Sequence, residues 1–88
     1  MRVEWTSRGL DRLADIYVAA TPADRDDIEA TTRRINAALA VDPSVLGESR
    51  SGGWRVWFEY PLMVLFCIFP AQQVVVVTHV ARLRRRSP

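Results

Sequence analysis

Trp54-Arg55-Val56-Trp57-Phe58-Glu59-Tyr60-Pro61-Leu62-Met63-Val64-Leu65-Phe66-Cys67-Ile68-Phe69-Pro70-Ala71-Gln72-Gln73-Val74-Val75-Val76-Val77-Thr78-His79-Val80 is the stretch that decides the architecture. Trp54, Val56 and Phe58 alternate with Arg55, Trp57 and Glu59, the period of a half-buried strand. Tyr60-Pro61 breaks that strand, and Leu62 to Phe69 predicts the next one. Pro70-Ala71-Gln72 turns the chain into Gln73 to Val80, whose density of β-branched residues is unfavourable in a helix and favourable in a strand. Turns this short connect antiparallel neighbours, so the three segments form a meander.

Upstream the period changes. Val3 and Trp5 alternate with Arg2 and Glu4 as a first short strand, ended by a helix-start signal at Thr6-Ser7. Leu10, Leu13, Ala14 and Tyr17 then recur at helical spacing, giving an amphipathic helix that ends near Ala20. Thr21-Pro22-Ala23-Asp24 supplies a cap, a proline at the first helical position and an acid in the first turn. The second helix carries Ile28, Ile35, Ala38 and Leu39 inward, runs to about Val41 and stops at Asp42-Pro43. Ser44 to Gly53, rich in Gly and Ser, reads as an exposed loop. The order is β-α-α-β-β-β, an α+β fold with a helical hairpin on one face of a small, mainly antiparallel sheet.

Both parities of Leu62–Phe69 and of Val74–Val77 are apolar, so the sheet offers oily side chains on two faces with helices for only one. Something else covers the second face: another copy of the chain, a partner's helix, or the C-terminal tail folded back.

Length and charge bound the rest. Eighty-eight residues make one domain spanning 1–88, and a chain of this size buries only roughly 60% of its unfolded surface, so its site is shallow. The single Cys67 has no intramolecular partner and suits a reducing cytoplasm. The N-terminal residues lack the apolar core of a signal peptide, and no apolar run approaches a membrane span. Residues 1–48 hold six Arg against nine acids and residues 49–88 six Arg against Glu59 alone, so the halves attract different partners. Every basic residue is Arg and none is Lys, a choice that suits bidentate phosphate recognition or reflects biased codon usage.

Gly52-Gly53 is too short for a phosphate loop, and no His, Cys or carboxylate pair has metal spacing, so neither a metal nor a nucleotide cofactor is expected. Trp54, Trp57, Phe58 and Tyr60 beside Arg55 suggest base stacking, but strand parity puts Trp54 and Phe58 on one face and Trp57 on the other. Trp5 and Tyr17 read as core. His79 is the one side chain suited to proton transfer near neutral pH, although a strand-end histidine is more often structural. Arg82, Arg84, Arg85 and Arg86 form a basic tail that suits nucleic-acid phosphates, an acidic partner segment or solvent.

The element order, the loop ending Gly52-Gly53-Trp54-Arg55, the run Pro61 to Ile68 and the ending Val75 to Arg82 together resemble the RelE/ParE superfamily, the toxins of bacterial type II toxin–antitoxin modules, which also stabilise plasmids. The resemblance spans Arg2 to Arg86 and implies a sheet with a helical hairpin on one side and a surface neutralised by a segment of the cognate antitoxin. It implies one of two activities: ribosome-dependent cleavage of mRNA, as in RelE-like members, or inhibition of DNA gyrase, as in ParE-like members. For an mRNA interferase it nominates Arg50, Arg55, His79, Arg82 and Arg85 as catalytic residues and Arg82, Arg84, Arg85 and Arg86 as nucleic-acid contacts. The chain departs from the RelE-like pattern at Tyr60-Pro61-Leu62, where an arginine is common, and no aromatic residue follows Arg82. A gyrase inhibitor needs a binding surface and no catalytic groups. A homodimer and a non-toxic binding module are the further alternatives, with no membrane partner.

Overall fold

Two threonines start the two helices. Thr6 Oγ1 accepts a hydrogen bond from the Gly9 N–H (3.0 Å) and Thr21 Oγ1 one from the Asp24 N–H (3.2 Å), each satisfying a donor that the first helical turn leaves free. In the computed structural model, which describes residues 1–84, the elements run β1 (Arg2–Trp5), α1 (Ser7–Ala19), α2 (Pro22–Val41), β2 (Glu48–Ser49), β3 (Trp54–Glu59), β4 (Leu62–Phe69) and β5 (Val74–Arg82). The sheet order is β1-β5-β4-β3-β2, with β1 parallel to β5 and every other pair antiparallel. The expected α+β order and meander are both present.

The segment expected to be a loop, Ser44–Gly53, instead holds β2 and two short 3-10 turns. Gly47 explains why: its φ is +66°, and a Cβ there would fall 2.1 Å from the Val56 carbonyl oxygen, so only glycine lets the chain close on β3. Arg55 fastens the approach, its Nε donating to the Leu46 carbonyl (3.0 Å) and its Nη2 to the Gly47 carbonyl (3.3 Å).

The core lies between the helices and one face of the sheet. Leu62, Val64 and Phe66 of β4 and Val75, Val77 and Val80 of β5 are fully buried there with Ile28, Ile35 and Leu39 of α2. Each such side chain stabilises the fold by about 1.5–3 kcal/mol relative to an exposed position. A bulge permits this pairing: Leu65 lies opposite His79 and Phe66 opposite Val77, which leaves Thr78 over as the extra residue. Without it, Val77 and Val80 could not share a face. Thr78 Oγ1 donates to the Leu65 carbonyl (3.3 Å) at that break.

On α1 the structure corrects the expected face. Gly9, Ile16 and Ala20 turn inward with Leu13 half-buried, while Leu10 is 52% exposed and Ala14 is exposed. The helix is rotated because Gly9 has no side chain: a Cβ would stand 3.2 Å from the Val77 carbonyl oxygen, so α1 rests on β5 through bare backbone. Trp5 and Tyr17 pack at the margin of the core; the Trp5 indole donates to Asn36 Oδ1 (2.8 Å), and the Tyr17 hydroxyl donates to Glu29 (3.0 Å).

Candidate functional site

Three surfaces have the shape of sites. The first is the uncovered sheet face. Pairing register puts Trp54, Val56 and Phe58 of β3 beside Met63, Leu65 and Cys67 of β4, with Val76, His79 and Ala81 of β5 next in line. Phe58 is 58% exposed, and Met63, Leu65, Cys67 and Val76 are half-buried by one another rather than by a covering element. Partial burial pushes the Cys67 thiol above its ordinary pKa, so it stays protonated near neutral pH. The tail does not cross this face as far as Arg84: the Leu83 N–H donates to the Pro61 carbonyl (2.7 Å), and Leu83 and Arg84 line a cleft against the helices.

The second surface is a groove of about 460 Å³ on the outside of the hairpin, where Leu10, Ala14, Tyr17 and Val18 of α1 face Ile28 and Thr32 of α2. Val18 is 71% exposed. Leu10, Ala14 and Val18 thus form a second apolar stripe on α1, turned outward. The third surface is an open cleft of about 740 Å³ at the turn end of the hairpin, lined by Arg12, Asp15, Asp24, Asp27, Tyr60, Arg82 and Arg84 among others.

The nominated catalytic residues are not brought together. Arg50 pairs with Glu48 on the sheet edge (3.0 Å). Arg55 lies on the helix side and holds the β2 loop, while Glu59 on the same side pairs with Arg34 (3.5 Å). Arg82, opposite Leu62, also lies on the helix side, where its Nη2 meets Asp24 Oδ2 at 2.8 Å. His79, opposite Leu65, is exposed on the uncovered face. Arg84 lines the cleft, and Arg85 and Arg86 lie outside the described residues. A base, a phosphate-binding cation and an acid around one scissile bond require convergence within hydrogen-bond reach, and these groups are divided between two faces and an edge. The aromatics are divided too: Trp57, opposite Val64, packs against the core, whereas Trp54 and Phe58 stay on the uncovered face.

The outward stripe on α1 and the Asp24–Arg82 contact were not nominated by the sequence. Leu10 and Val18, eight residues apart on one helix, were a signal for the first. Nothing local signals the second, because its partners are 58 residues apart. Among the described residues, no three His, Cys, Asp or Glu side chains gather as metal ligands would, and no helix is long and apolar enough to cross a membrane.

No protein-family profile and no curated protein sequence matches the chain. Solved structures do. The chromosomal ParDE toxin–antitoxin system of P. aeruginosa superposes with a TM-score of 0.73 at 17% identity, over 96% of this chain and 97% of that one. The toxin–antitoxin complex RelBE2 of Mycobacterium tuberculosis gives 0.71 at 17% identity, over 92% and 88%. The isolated RelE toxin of E. coli gives 0.62 at 10% identity, over 97% and 86%. The chain therefore has the α+β fold of the RelE/ParE toxins, as the resemblance implied. Across the described elements it departs from the β-α-α-β-β-β order only by the added β2.

Proposed function

We propose that residues 1–88 form the toxin domain of a type II toxin–antitoxin module, which arrests bacterial growth in the cytoplasm by binding a protein target, DNA gyrase in the ParE-like case, and is neutralised by a cognate antitoxin. The observation that carries the target reading is the dispersal of Arg50, Arg55, His79 and Arg82: a binder needs surfaces, and this fold has two apolar ones, whereas an RNA-cleaving centre needs groups that meet. The antitoxin reading draws on the superposed structures, which include toxin–antitoxin complexes. It draws also on the hairpin groove, which suits the apolar face of an amphipathic helix.

Induction of the chain alone in a bacterial host, followed by viable counts, tests the toxin reading, and a supercoiling assay with purified chain tests the target. Arrest together with loss of supercoiling supports the proposal. Arrest with unchanged supercoiling and mRNA cut on ribosomes replaces it by the RelE-like activity, and folded chain without arrest replaces it by a non-toxic binding module.

A further inference from the structure

β1 is the last strand on its side of the sheet, and its outer edge is open among the described residues. The Arg2 N–H donates to the Gln73 carbonyl (3.0 Å) and the Thr6 N–H to the Val77 carbonyl (2.9 Å), so Arg2, Thr6 and Glu4 between them turn their backbone groups toward β5. In a parallel pair the alternate residues, Val3 and Trp5, then aim both N–H and C=O away from the sheet. Such an edge is a template for a further strand, and edge strands ordinarily carry charge that prevents the pairing. β1 carries two charges, Arg2 and Glu4, whose side chains are 71% and 50% exposed and meet at 2.9 Å on the uncovered side of the sheet, beside Val74 and Val76. At the start of the strand Met1 is 39% exposed, and its α-amino group donates to the Ala40 carbonyl (2.8 Å). The opposite edge, β2, is two residues long and offers no comparable template.

We propose that this edge takes a second copy of the chain, β1 pairing with β1 antiparallel about a two-fold axis at Val3. The order of the charges selects both the occupant and the register, because Arg2-Val3-Glu4 read backwards is complementary to itself. With Val3 opposite Val3 of the second copy, the two exchange both backbone bonds, and each Arg2 stands opposite a Glu4. Sliding the register by two residues puts Glu4 on Glu4 or Arg2 on Arg2, and like charges directly opposite repel. Sliding it by one sets the outward groups of Val3 against residues whose bonds already go to β5. In the favoured register Met1 faces Trp5 on the helix side, an apolar pair at each end of the contact. The same patch serves both copies, and the axis stands perpendicular to the sheet. Two five-stranded sheets thereby join into one continuous sheet with both hairpins on one side and both uncovered faces on the other. The pairing does not depend on the toxin reading or on its target.

The test is sedimentation equilibrium of the full chain over a range of concentrations at low salt. An edge this short gives a weak dimer, with a dissociation constant on the order of tens of micromolar. Arg2→Glu alone and Glu4→Arg alone each turn two attractive pairs into two repulsive ones, so each is expected to weaken the dimer roughly tenfold or more. Mixed in equal amounts, the two variants restore every attractive pair between unlike chains, and the affinity of the mixture should return to within about threefold of the original. Both positions are exposed, and melting temperatures close to that of the unmodified chain confirm that each variant folds. A chain that stays monomeric up to about millimolar concentration overturns the proposal. So does a mixture of folded variants that fails to dimerise. A dimer that is indifferent to Arg2→Glu but lost in Phe58→Lys overturns it in favour of the uncovered face.

Discussion

The two faces of the sheet are built from the same kinds of residue and have opposite fates. On β4, Val64 and Phe66 are fully buried under the helices, while Met63, Leu65 and Cys67 between them stay half-open on the other side. Apolar content therefore says where surface is available for burial but not whether the chain itself supplies the cover. The helix side stabilises the fold, and no element among the described residues covers the other side.

The sharpest way to break that contrast is to truncate neighbours on opposite faces. Phe66→Ala should lose about 3–5 kcal/mol in urea unfolding, the usual cost of emptying a closed core site. Leu65→Ala next to it should lose about 1 kcal/mol, and equal losses would mean that the uncovered face is part of the core. The same comparison on β3 should be milder, with Trp57→Ala costing about 2–3 kcal/mol and Phe58→Ala less than about 1 kcal/mol. On the hairpin, Leu10→Asp with Val18→Asp should leave unfolding within about 0.5 kcal/mol per site yet weaken antitoxin binding at least roughly tenfold, measured by calorimetry.

The smallest effect expected is electrostatic. The Tyr17 hydroxyl is pushed above its ordinary pKa, first by its hydrogen bond to Glu29 and then by that residue's charge. A pKa raised in the folded state favours the fold while the phenol is protonated. That contribution is complete below the pH at which an unfolded tyrosine ionises and is lost as pH rises through the folded value. Glu29→Gln should lower the midpoint of the phenolate absorbance titration, and an unmoved midpoint would show that the hydrogen bond has no weight in solution.

Much of the fold was legible because its signals are local. Thr6, Thr21 and Pro22 announced both helices, and Pro61 and Pro70 marked the turns of the meander. What was missed depends on contacts between distant segments. Hydrophobic periodicity counts side chains and so overlooked Gly9, whose lack of one seats α1 on β5 and turns Leu10 outward. Gly47 and Arg55 create β2 only once β3 is beside them. Of the candidate site, the two-sided apolar strands were readable, whereas the faces taken by Arg55, His79 and Arg82 follow from register and from the bulge at Thr78.

The pairing of β1 with β5 also orders events in time. Arg2 lies beside Val74 and Trp5 beside Val77, so the first strand of this sheet to be synthesised has its partner in the last. Both helices and the first two strands of the meander can form during synthesis, but β1 must wait for β5. Contacts this distant in sequence slow folding. Each newly made molecule thus passes through an interval in which its sheet is unfinished, and premature termination before Val74 removes β5 and strands β1 with it.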